Sequence, residues 1–204
     1  MRRLTKQERA DLEKRLAEWQ PPEAMRSAVE KAMDLMGSKN LFTQGGLAFL
    51  QDAWIAGQLA HLRDADQVRI VQDNWPDFEL KFGDRNEQFE AVEADAPKRR
   101  RGDEFSNSSV GPQHDREEDW AERATQAPSW IKHACIKKAN KNYSARAHLV
   151  VYLNLSEYGT RQKEVASSFQ AATAPAKDAF ASIWVLWKEQ VYPVWKDGLI
   201  QPQA

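Results

Sequence analysis

The sequence predicts an α/β fold: a mixed four-stranded sheet flanked by helices, with helical extensions at the N- and C-terminal ends. Two observations carry this expectation. Apolar residues recur at helical spacing in three stretches ahead of Val68, and from there the period switches to two. Further on, a helical stretch followed by the apolar run "HLVVYLNL" supplies a strand–helix–strand crossover, which adds a parallel strand to an otherwise antiparallel meander.

Each element has a local signature. Thr5 with Glu8 three residues later reads as a capping box. Leu12, Leu16 and Trp19 follow at helical spacing, and Pro21-Pro22 stops the run. A second helix is expected over about Glu23 to Met36, ending at Gly37, and a third carries Leu47, Leu50, Trp54 and Ala60 or His61 along one side. Val68 and Ile70, then Phe78, Leu80 and Phe82, then Phe89 and Ala91 form three short strands separated by "DNWP" and "GDRN". From Pro97 to Pro128 periodicity is lost, which predicts a long mobile loop. "PSWIKHACIKKANKN" reads as a helix and "HLVVYLNL" as a buried strand. Two further helices are expected, the last with Ile183, Trp184, Trp187 and Val191. The expected organisation is an N-terminal helical extension over 1–40, an α/β core over 41–158 with a mobile loop at about 97–127, and C-terminal helices over 159–204 packing on that core.

Composition narrows the function classes. Lys and Arg total 29 against 30 Asp and Glu, a net charge of −1, so electrostatic recognition must come from local clusters. One Cys excludes a disulfide framework and a multi-Cys zinc site, and four scattered His show no ligand spacing. The charged N-terminus and the lack of a long apolar run predict a soluble cytoplasmic protein without a membrane partner.

The acids of the meander pose the main question, because strands disfavour them. Strand parity puts Asp77 and Glu79 opposite Phe78, Leu80 and Phe82, and puts Glu93 and Asp95 on the face of Phe89 and Ala91. If the strands pair, Asp77, Glu93 and Asp95 converge at one end, where they would repel unless a cation such as Mg²⁺ bridged them. The competing reading is a set of solvated acids on an exposed sheet face.

Pro76-Asp77, a polar turn and then Glu93-Ala94-Asp95 resemble the PD-(D/E)XK nuclease superfamily. Its restriction-endonuclease-like αβββαβ core would cover roughly Gly46 to Leu155. The resemblance implies that Asp77, Glu93 and Asp95 form the acidic site, that Asp77 and Glu93 hold Mg²⁺ or Mn²⁺ with help from the Ala94 carbonyl, and that the reaction is hydrolysis of DNA phosphodiester bonds in a bacterial or phage protein. It also suggests Asp52 as an additional acid on the helix before the strands. Asp95 stands where the family usually has Lys.

A replacement cation is Lys138, which falls within the apolar face formed by Ile131, Ala134 and Cys135; the alternative is a snorkelling lysine. As a catalytic group it should be removable with more damage to chemistry than to folding. The run Lys98, Arg99, Arg100 and Arg101, together with Lys141, is assigned to nucleic-acid phosphates. Trp184 and Trp187 read as core or interface more than as base-stacking residues. Two other readings stay open: a catalytically inactive nuclease-fold module for nucleic-acid binding or protein interaction, and an assembly protein whose Trp19, Trp184, Trp187 and Trp195 build a homo-oligomer interface.

Overall fold

The computed structural model describes residues 1–73, 75–96, 117–141, 147–155 and 161–196. Three helices come first: α1 (Lys6–Leu16), α2 (Pro22–Thr43) and α3 (Ala48–Leu62). The capping box forms as expected, with the Thr5 hydroxyl accepting from the Glu8 amide at 3.2 Å and the Glu8 carboxylate accepting from the Thr5 amide at 2.8 Å. Arg2 donates to the same carboxylate. That bond and the one from Thr5 hold the Glu8 acid down at about 2. Replacing Thr5 by Ala is expected to cost about 1 kcal/mol, seen as a fall of about 2–4 °C in the thermal midpoint. Gly37 does interrupt the second helix, but as a kink: its φ of 66° breaks the helical path, and helix resumes to Thr43.

The sheet has six strands in the order β1-β2-β3-β4-β5-β6, where four were expected. The strands are β1 (Gln67–Ile70), β2 (Phe78–Phe82), β3 (Arg85–Ala94), β4 (His148–Leu153), β5 (Ser182–Trp187) and β6 (Gln190–Lys196). β1 and β2 pair antiparallel; β3, β4 and β5 are parallel; and β6 returns antiparallel on β5 as the outer strand. The expected crossover is therefore present, running from β3 through α4 (Glu117–Ala139) to β4. Two short helices, α5 (Gln162–Ser167) and α6 (Phe169–Thr173), and a 3₁₀ turn at Ala174–Ala176 make a second crossover to β5.

Two expectations fail here. The last helix, placed on Ile183, Trp184, Trp187 and Val191, is the β5–β6 hairpin, whose strands are joined by Lys188 and Glu189. Every residue of β5 is buried, so its apolar side chains serve both sheet faces and lose the alternation that marks a half-buried strand. The loop expected over about 97–127 is also overturned from Glu117 onward, where α4 already includes Glu117 to Pro128; residues 97–116 lie outside the described residues.

The chain divides into two compact units, the first holding Met1–Gln88 and the second the described residues from Phe89 onward. In the first, α3 covers the apolar side of β1 and β2, where Val68, Phe78 and Leu80 are fully buried. In the second, Ile131, Ala134 and Cys135 of α4 pack with Leu149, Val151 and Leu153 of β4, Ile183, Val185 and Trp187 of β5, and Phe169 of α6. Burial pushes the Cys135 thiol up to about 12, so this residue is a core hydrophobe and not a nucleophile at neutral pH. Among the described residues, no helix is long and apolar enough to cross a membrane.

Candidate functional site

In the first unit the strand acids are answered by arginines. Arg69 lies opposite Glu79 across the β1–β2 ladder and donates to Glu79 Oε2 from Nε at 2.8 Å and from Nη2 at 2.6 Å, while Gln88 donates to Oε1 at 3.1 Å. The Arg69 guanidinium sits 4.7 Å over the Trp19 ring. Glu87 takes Arg63 at 2.6 Å and Arg85 at 3.1 Å, and both arginines flank Phe82. These buried carboxylates each have cations placed against them, so no metal is required to explain them.

Asp77 precedes β2 in the same unit, after a cis Trp75–Pro76 bond. It is half-buried, and its main-chain carbonyl accepts from the Val71 amide at 3.0 Å. Asp52 is half-buried on α3.

In the second unit the ladder sorts the acids of β3 by face. Glu90, Val92 and Ala94 stand beside Leu149, Val151 and Leu153 on the side that α4 covers. Phe89, Ala91 and Glu93 stand beside His148, Val150 and Tyr152 on the other side. Lys138 reaches the first of these sides. With about 100° per residue, it falls between Ile131, Ala134 and Cys135 on the inward arc of α4. Its ammonium meets Glu90 Oε2 at 2.5 Å, with the lysine side chain 12% exposed and that of Glu90 3%. A lysine that snorkels to water would not end on a buried carboxylate, so the apolar placement of Lys138 is explained by this pair.

Lys138 was expected beside Glu93, and here the structure corrects the expectation: positions 90 and 93 differ by an odd number, so Glu93 projects from the opposite face. There Asn154 donates to Glu93 Oε1 at 2.6 Å. Asp95 turns one carboxylate oxygen back onto the Ala96 amide at 2.7 Å. Asp77 belongs to the first unit, Glu93 and Asp95 to the second. Among the described residues no three His, Cys, Asp or Glu are grouped to hold a metal ion.

The basic run Lys98, Arg99, Arg100 and Arg101 lies outside the described residues, while Lys141 is exposed just beyond the end of α4. Trp184 and Trp187 are core residues of β5, their indole N–H groups donating to Ser182 Oγ at 2.6 Å and to the Leu155 carbonyl at 2.9 Å. Glu90 escaped the sequence reading. Its signal was present in the alternation of β3, where it is the one acid sharing parity with Val92 and Ala94. Compared with known proteins, the chain matches no family model, no curated protein and no solved structure.

Proposed function

We propose that the chain hydrolyses phosphodiester bonds of nucleic acid, DNA in the first instance, with Glu90 and Lys138 as its acid–lysine pair. The observation that carries this reading is the 2.5 Å contact between Lys138 and Glu90. It brings a carboxylate of the third strand and an ammonium of the crossover helix together on one sheet face. The resemblance to the PD-(D/E)XK nucleases calls for such a pair, and Asp95 cannot supply its cation.

Mg²⁺ takes one or two carboxylates and fills its shell with water and phosphate oxygens; Glu90 offers one, 2% exposed and paired with Lys138, so an ion would have to displace the ammonium to reach it. Such an ion would supply activation of a water molecule and stabilisation of charge on the phosphate. Glu90 would hold it, and Lys138 would place positive charge against the phosphate oxygens as negative charge builds on them.

The test is cleavage of single- and double-stranded DNA with Mg²⁺ or Mn²⁺. Wild type should cleave and chelator should stop it, and Lys138→Ala should lower the rate by about 10²-fold. Because Lys138 also holds the fold, that variant is assayed where its circular dichroism is still native. Wild type inert on both substrates with both metals would overturn the proposal. It would leave the inactive binding or interaction module, a reading favoured by the burial of Glu90, which is 2% exposed.

A further inference from the structure

We propose that the outer face of α4 is the docking surface for the phosphate backbone of the nucleic acid, with Lys132, Lys137 and Lys141 as its phosphate contacts. This rests on the reading of the chain as a nucleic-acid-binding protein, catalytic or not, because the strip faces away from the Glu90–Lys138 pair and uses neither residue.

Lys132, His133, Ile136, Lys137 and Asn140 are all exposed. At about 100° per residue they fall within an arc of roughly 140°, centred away from the buried side that carries Lys138. Lys141 extends the strip beyond the last turn. From Lys132 to Lys141 there is no acid, whereas the acids of α4, Glu117, Glu118, Asp119 and Glu122, all precede Arg123.

Several cations elsewhere in this unit have partners, exposed Lys163 being an exception among the described residues. Lys138 has Glu90 and Arg161 has Glu164, while Lys177, Lys188 and Lys196 lie over Trp195, Trp187 and Trp184. Lys132, Lys137 and Lys141 form no ion pair with a described residue. The helix dipole favours cations in the last turn, which accounts for Lys137 but not for Lys132 and His133 two turns upstream. Among these cations sits Ile136, 40% exposed and one of few large apolar side chains left in water.

A row of ammonium groups that pair with no described residue, with an apolar contact among them, suits a polyanion whose charges are regularly spaced and whose sugars are partly apolar. That is the backbone of a nucleic acid, bound without regard to sequence. The two carboxylates of an isolated acidic peptide side-chain pair would leave the rest of the strip unmatched.

The experiment is fluorescence anisotropy of labelled DNA duplex and single strand against full-length protein in chelator, where cleavage is silent, across a salt series. The triple variant Lys132→Gln, Lys137→Gln, Lys141→Gln should bind at least about 10-fold more weakly than wild type, with the slope of log affinity on log salt reduced by about 2–3. Its circular dichroism should be unchanged. Equal affinity and slope in the triple variant would overturn the proposal, as would wild type that binds anionic-lipid vesicles or polyglutamate but neither DNA form. Loss of binding in the triple variant of a protein that never cleaves DNA would support the surface while removing the hydrolytic reading. Cleavage by wild type with unchanged binding by the triple variant would do the reverse.

Discussion

Replacing Lys138 by Met should lower stability by about 3–5 kcal/mol, a fall of roughly 6–20 °C in the thermal midpoint for a chain of this size. Met preserves most of the stem that packs among Ile131, Ala134 and Cys135, so the loss isolates the ammonium. What it leaves behind is the Glu90 carboxylate, 2% exposed and on the face of Val92, Leu149 and Val151, deprived of the cation at 2.5 Å. The double variant Glu90→Leu, Lys138→Met should recover most of the loss, because an apolar pair of similar volume removes both the charge and its desolvation. Differential scanning calorimetry of the two single variants and the double variant closes the cycle. A wild-type midpoint for Lys138→Met would show that water, not Glu90, satisfies the ammonium. The sequence alone suggested that this lysine could be removed at little cost to folding; its burial against a carboxylate reverses that expectation.

Trp187→Ala should be comparably severe, costing about 3–5 kcal/mol. The indole is fully buried in the core of the second unit, meets Phe169 edge to face at 6.3 Å and donates to the Leu155 carbonyl at 2.9 Å. Trp187→Phe keeps much of the apolar body and gives up the hydrogen bond, so its cost should be nearer 1–3 kcal/mol, the rough scale of a buried polar group left unmatched. Urea denaturation followed by circular dichroism reads both. A loss below about 1 kcal/mol for the alanine variant would mean that the side chain is not a core element.

The strength of local signals decided what could be read from sequence. The Thr5–Glu8 box starts a helix because both partners are three residues apart in one chain, and α4 announces its buried side through Ile131, Ala134 and Cys135. The meander was legible from the alternation of Phe78, Leu80 and Phe82. β5 was not, because "SIWVLW" is apolar after its first residue and a short apolar run fits a buried strand and a buried helix equally well. Its hairpin turn gave no warning either: Lys188 takes a positive φ of 56° where Asn or Gly would have marked the reversal. The site was half legible. Lys138 stood out as a cation on an apolar face, but its partner depends on which face of β3 the crossover helix covers, and that is fixed by the parallel register with β4. Moving attention from Glu93 to Glu90 changes the sheet face on which the proposed chemistry takes place.

The hairpin of β5 and β6 has a consequence for colloidal behaviour. β5 is six residues of high strand propensity without a charge, a proline or a glycine, the composition that seeds cross-β assembly when it is exposed. In the folded chain it is lined on one side by β4 and on the other by β6, so its backbone presents no open edge. The strand that takes the outer position is a poor template: Pro193 offers no amide proton, the register shifts near Ile183 and Trp184, and Lys196 puts a charge at one end. This hexapeptide is thus kept one strand inside a margin that resists extension, and detachment of β6 would expose it.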